Sequence, residues 1–246
     1  MQWSDDGIVL AARAHGERAL VVQLLTREHG RHAGLLRGGQ SPKTRAHWQI
    51  GNRLVVTWRA RLAEHLGFIT GEVVEAHAAK LLDDKLRLGA LAAAAALAAS
   101  ALPEREPHPR AYRHLLHLIE ALGADDRWAI AYVEWEIALL EELGFGLDLA
   151  SCAATGATAD LVYVSPRSGQ AVSAAAGAPY REKLLPLPAF LRGDAARPAS
   201  QDVLDGLRLA GFFLEQRVFA PHQQKLPAAR SRYVDALTKV LAIPGA

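Results

Sequence analysis

The chain has 246 residues, half of them hydrophobic and 22% charged, with a formal net charge of +2. Such a chain can bury one large core or two modest ones without staples, so neither a disordered tract nor a metal- or disulfide-stapled miniprotein is expected. Its single cysteine, Cys152, has no intramolecular partner, which excludes a disulfide-built secreted fold and fits a reducing compartment.

The start, MQWSDDG, carries two acids and no apolar run, and does not read as a signal peptide. The first 75 residues read as short strands. Gly7–Ala14, Ala19–Thr26 and Ala33–Arg37 are apolar runs, punctuated by His15-Gly16-Glu17 and Glu28-His29-Gly30. Asn52–Ala60 alternates, with Leu54, Val56 and Trp58 on one face and Arg53, Val55, Thr57 and Arg59 on the other. Phe68–Val74 follows Gly67. About five short strands at this spacing predict a small barrel or sandwich rather than a parallel α/β sheet.

Near Ala76 the composition turns helical, rich in Ala and Leu as far as Leu102. The longest apolar run there, starting at Gly89, is too short to cross a bilayer, which needs about 20 residues. A cytoplasmic protein with no membrane partner is expected. PEREPHP at 103–109 is a loop, and Arg110–Leu122 a second helix with Leu115, Leu118, Ile119 and Leu122 on one face. Asp125-Asp126 caps a third, striped by Ala129, Ile130, Val133, Ile137, Leu140 and Leu143 and stopped at Gly144-Phe145-Gly146. Residues 147–190 read as a looped insert with one strand-like piece, Leu161–Val164. A last long helix runs from Gln201 to Phe219, and a basic segment, Lys225 to Arg232, precedes a final short helix.

No chemistry of bond making stands out. There is no GxxxxGK[ST], GxGxxG or GxSxG, and Cys152 has no nearby histidine. His29 and His32, like His114 and His117, are spaced by three but lack a local Cys or an HExxH arrangement, so ordinary surface or partly buried histidines are expected. Glu134, Glu136, Glu141 and Glu142 fan around a helix and read as a solvated face.

Charge is the informative feature. Residues 1–61 hold ten Lys or Arg against four acids, and residues 27–61 hold eight against one. A segment of that kind attracts polyanions. Within it, Arg37-Gly38-Gly39-Gln40-Ser41-Pro42-Lys43-Thr44-Arg45 reads as a flexible cationic loop between strands. Trp48 and Trp58 lie among the charges; Trp58 alternates with core positions, while Trp48 could serve the core or a base.

Two stretches carry a family resemblance: the opening GIVLAARAHGERALVVQLLTREHGRHAGLLRGGQSPKTR, and EWEIALLEELGFGLDLASCAATG, a helix ending in Leu-Gly-aromatic-Gly followed by a Cys. In this order they resemble the bacterial RecO recombination mediators along essentially the whole chain. The resemblance implies an α+β protein, with a five-stranded OB-fold barrel over 1–78 and an all-helical domain over 79–246. That second domain would carry a degenerate zinc-ribbon-like insert at about 148–190. Many family members hold zinc there with two Cys pairs. Here Thr155 stands at the partner position of Cys152, and the second pair is replaced within Val164-Ser165-Pro166-Arg167-Ser168-Gly169, so no metal or other cofactor is expected.

The resemblance further implies a non-enzymatic protein that binds single- and double-stranded DNA and anneals complementary strands. It would act with RecR to help load RecA onto DNA coated by single-strand-binding protein. The DNA path is then expected on Arg31, Arg37, Lys43, Arg45, Arg53 and Arg59, with an extension over Lys225, Arg230 and Arg232. The acidic, aromatic-ended tail of single-strand-binding protein calls for an apolar pocket rimmed by cations, with Arg110, Arg113 and Arg127 as nearby cations and the first two the nominated contacts. A generic RNA-binding factor of the same fold is the competing reading.

Overall fold

Period-two alternation in the first third builds five strands: β1 (Gln2–His15), β2 (Ala19–Thr26), β3 (Gly30–Leu36), β4 (Arg53–Arg59) and β5 (Phe68–Glu75). This computed structural model describes residues 1–193 and 199–242. β1 is long enough to serve two neighbours. Its first half pairs antiparallel with β4, from Gln2↔Arg59 to Ile8↔Arg53, and from Gly7 onward it pairs with β2. An irregularity between Val9 and Ala11 bends it from one partner to the other. The inward residues Val9, Leu20, Val22, Leu24, Leu36, Leu54, Val56 and Ile69 form a core closed by Trp48. Each such side chain stabilises the fold by roughly 1.5–3 kcal/mol on removal from water.

The strand order returns on itself, β1-β2-β3-β5-β4. The five strands close into a barrel, but unevenly, because the last seam is a single residue pair, Leu35↔Phe68. β3 and β5 run parallel, and the end of one meets only the start of the other. The barrel is thus closed by its thinnest seam, while β1–β2, β1–β4, β2–β3 and β4–β5 are antiparallel ladders.

The glycine-containing segment after β3 is more ordered than a flexible loop. It folds into α1 (Pro42–His47), with the Ser41 hydroxyl accepting from the Thr44 N–H and Pro42 in the first turn. A 3₁₀ turn at His77–Leu81 leads to α2 (Lys85–Ala101), whose Asp84 cap accepts from the Leu86 and Arg87 N–H groups. Alanines at 90, 93, 94, 95 and 98 are buried and let α2 lie close on β1 and β2. α3 (Pro109–Ala124) turns its Leu115, Leu118, Ile119 and Leu122 stripe inward. α4 (Trp128–Glu142) follows Asp125, whose carboxylate accepts from the Arg127 N–H, and stops at Gly144, which holds a φ of 82°. Glu136 on α4 is wholly buried, not part of a solvated face as expected.

The chain divides into two compact units. The first comprises Met1–Trp128 with Pro227–Tyr233; the second comprises Ala129–Leu226 with the end of the chain from Val234. The expectation of an all-helical second part is corrected in the second unit. Its insert holds a three-stranded sheet of β6 (Leu161–Val164), β7 (Ala171–Ser173) and β8 (Leu185–Pro186), ordered β7-β6-β8. The short α5 (Ala174–Gly177) follows β7, and α6 (Ser200–Phe213) runs on into a π-helical turn at Leu214–Phe219. The final helix, α7 (Ala228–Leu241), begins inside the basic segment and is 14 residues long rather than short.

Candidate nucleic-acid interface

The cations expected to form the DNA path fall into two groups. Arg37, Lys43, Arg45 and Arg59 are exposed. Arg31 and Arg53 are engaged within the fold. Arg31 donates from Nε to the Leu102 carbonyl at 2.7 Å and from Nη1 to Glu104 at 3.1 Å, tying β3 to the chain after α2. Arg53 grips the Asp6 carboxylate with Nε at 3.0 and 2.9 Å and with Nη2, across the β1–β4 pair. Of the later cations, Arg230 is buried in the first unit, Arg232 is exposed there, and Lys225 is exposed in the second. Arg110 and Arg113 are exposed on α3, and Arg127 is exposed just before α4.

The exposed cations have an aromatic companion that the sequence reading passed over. The Arg37 guanidinium lies 4.0 Å above the centroid of the Phe68 ring, and Phe68 is 43% exposed. Beside it opens a cleft of about 590 Å³, lined by Leu35, Arg59, Arg61, His65, Leu66 and Phe68, with no acidic side chain among the lining residues. The 60–67 connection that walls the cleft is held from several sides. Trp58 donates its indole N–H to the carbonyls of Leu66 and Ala33 at 3.0 and 3.1 Å. Arg105 donates to the Glu64 and His65 carbonyls. Gly67 adopts a φ of 68° and packs so tightly on Trp58 that a Cβ would sit 2.5 Å from the indole. The clue to Phe68 lay in the alternation Phe68, Ile69, Thr70: Ile69 takes the core side and sends Phe68 outward.

Neither Trp48 nor Trp58 is offered to a ligand in this way. Trp58 is buried, as its alternation implied, and Trp48 is buried within the core of the sheet. Trp3 instead stacks on His29 with centroids 4.1 Å apart and on Trp58 at 5.6 Å, while His32 meets both indoles edge-on. The first His pair is thus part of an aromatic stack. His29 Nδ1 lies 2.9 Å from Asp5, and His32 Nδ1 donates to the His29 carbonyl at 2.9 Å. Burial opposes charge on Asp5, but the His29 ring and the Glu28 and Asp6 N–H groups outweigh it and hold the carboxyl below the ordinary range. Burial pushes His32 down from its usual value, and the bond to the His29 carbonyl offsets only part of this.

The insert does not suit zinc. Cys152 is buried; Thr155 and the Ser173 N–H, which donates to Sγ at 3.3 Å, draw its pKa down to about 6. One thiol beside hydroxyl groups is not the thiolate set that zinc requires. Among the described residues no group of three or more His, Cys, Asp or Glu side chains could hold a metal ion. Backbone bonds shape the two turns instead: Gly156 N–H to the Cys152 carbonyl, and Gly169 N–H to the Ser165 carbonyl, both at 2.8 Å.

A second cavity, of about 420 Å³, lies between the sheet and α2. It is lined chiefly by apolar side chains, among them Trp48, Ile50, Leu82, Leu88 and Leu91, with Arg45 also present. Among the described residues no helix is long and apolar enough to cross a membrane.

Residues 1–77 match the family described as Recombination protein O N terminal, and residues 82–226 match Recombination protein O C terminal. The DNA repair protein RecO of Rhodospirillum centenum is 53% identical over 247 residues, covering 100% of this chain and 98% of that relative. Its counterpart from Rhodospirillum rubrum is 52% identical over 245 residues and 97% of both chains. That of a Ruegeria species is 46% identical over 240 residues, covering 97% of this chain and 99% of the relative. Matched in both its parts and over nearly its whole length, the chain belongs to the RecO family of bacterial recombination proteins.

Proposed function

We propose that the chain is a non-enzymatic DNA repair and recombination mediator, cytoplasmic and associated with the nucleoid. It binds single- and double-stranded DNA, anneals complementary strands, and acts with RecR to help load RecA onto DNA coated by single-strand-binding protein. Family membership and the relatives' shared designation support the repair role. The observation that carries the DNA-binding part is the set of exposed cations Arg37, Lys43, Arg45 and Arg59 on or beside one sheet. Annealing requires two polyanions to approach, and clustered cations permit this by neutralising phosphates and releasing counterions. No bond is made or broken. Nucleic-acid contact would belong to residues 1–78 and protein contact chiefly to the helical region that follows.

The test is strand annealing followed by fluorescence, using complementary oligonucleotides coated with single-strand-binding protein and read across a salt series. Salt-sensitive acceleration without nucleotide or metal is expected. Replacing Lys43 and Arg45 by Ala should weaken binding to all DNA sequences alike and flatten the salt slope by about one unit for each phosphate no longer neutralised. Unchanged affinity and slope would move the DNA path off α1.

For the acidic, aromatic-ended tail of single-strand-binding protein, the cavity beside α2 has the needed chemistry: an apolar lining with Arg45 among its residues. Arg110 and Arg113 on α3 are the alternative contacts. Tail-peptide affinity measured for Arg45→Ala and for the Arg110/Arg113 double Ala variant decides between them, since only the variant that removes the true contact loses binding.

A further inference from the structure

The cleft beside the β3–β5 seam has the chemistry of a base-binding subsite, and this inference rests on the DNA-binding reading above. We propose that it takes one unpaired base of a single strand, stacked against the Phe68 ring that Arg37 braces from one face, with Arg59 and Arg61 meeting the flanking phosphates.

Four observations converge on that occupant. Phe68 is a large aromatic side chain left 43% exposed. A guanidinium plane lies over it at 4.0 Å, so two delocalised planes are already assembled. The cleft beside them is about 590 Å³, within the range of small-ligand sites. Its charged lining is basic, from Arg59 and Arg61, with Leu35 and Leu66 supplying apolar contact. A single exposed aromatic residue needs no explanation, but one set between cations in a preformed cleft matches how single strands are held: phosphates by charge, bases by stacking.

The rigidity of the walls strengthens the case. Trp58 and Arg105 fix the 60–67 backbone by hydrogen bonds, and Gly67 is seated against the Trp58 indole. A base entering here meets a site that needs little ordering, which favours binding. A duplex cannot use it, because paired bases stay in their stack. The subsite therefore distinguishes single from double strands without reading sequence. It gives an annealing protein a hold on each strand that lapses once the strand is paired.

The experiment is equilibrium binding of the full-length chain to a labelled oligo-dT and to a hairpin duplex, each over a salt series, with thermal unfolding as a check on folding. Phe68→Ala should weaken oligo-dT binding roughly ten- to a hundredfold with the salt slope unchanged, and leave the duplex unaffected. Phe68→Trp should restore oligo-dT binding. The Arg59/Arg61 double Ala variant should instead flatten the slope for the single strand. Unchanged oligo-dT affinity in Phe68→Ala, or an equal loss on both substrates, would overturn the base subsite while the lysine and arginine variants still reported on DNA binding. If neither Arg59/Arg61 nor Lys43/Arg45 replacement alters binding to either substrate, the DNA reading of the sheet itself fails.

Discussion

Asn52 shows how much of this fold depends on single polar side chains. It is 1% exposed, and its amide donates to the carbonyls of Ala46 and His47 at 3.1 and 3.0 Å, closing the end of α1. Its oxygen accepts from the Ala78 N–H at 3.0 Å, anchoring the 3₁₀ turn that leads to α2. Asn52→Ala deletes three bonds and leaves the buried Ala78 N–H without its acceptor, so a loss of roughly 2–3 kcal/mol is expected. A urea unfolding midpoint lowered with an unchanged m-value would show it; an unchanged midpoint would mean those groups find other partners. Nothing in the sequence around Asn52 announces this role, because its partners lie in separate segments on either side of β4 and β5. Trp58 is the opposite case: its alternation with Leu54 and Val56 predicts burial directly. Arg31 and Arg53 look like any other cations in sequence, since Glu104 and Asp6 reach them only through the fold.

At the scale of elements, an apolar run between turn residues located β2, period-two patterning located β4, and helical stripes located α3 and α4. Three kinds of element were hidden. β7 and β8 are too short to show a period. α1 is six residues inside a segment whose glycines and proline read as a loop. The one-pair seam between β3 and β5 depends on how two parallel strands overlap, which no local pattern records. Packing around β3 and the 3₁₀ turn also brings a pH dependence. Burial holds His32 below its ordinary 6.5, and burial likewise lowers His77. The native state therefore favours the neutral rings, and on acidification the unfolded chain takes up protons first. Their stabilising contribution is complete above about pH 6.5 and is lost as pH falls through the lower native values. Asp5, held below 3.8, adds a second loss that begins only near that pH. Thermal midpoints measured from pH 8 to pH 3 should show a plateau, a decline below 6.5 and a steeper one below 3.8. A midpoint that rises between pH 7 and pH 5.5 would contradict the burial of these histidines in neutral form.

For the molecule as a whole, charge asymmetry was the most useful sequence signal, because net basicity over 27–61 survives into an exposed set around one sheet. Family resemblance added the repair function that charge alone leaves open between DNA and RNA. What neither supplied is the make-up of the first compact unit. It is not a continuous stretch: Met1–Trp128 is joined by Pro227–Tyr233, where Tyr233 is buried beside Trp128 with ring centroids 6.3 Å apart, and Arg230 is buried too. A ribosome releases a chain from its first residue to its last, and most domains can finish folding as they emerge. Here the earliest-made unit must wait, with the site for Tyr233 beside Trp128 unfilled, until the whole span 129–226 has been translated and the residues that complete it arrive. Assembly of the unit that carries the basic strands is thereby coupled to synthesis of nearly everything else, so a chain broken off at 226 would emerge with its first unit unfinished.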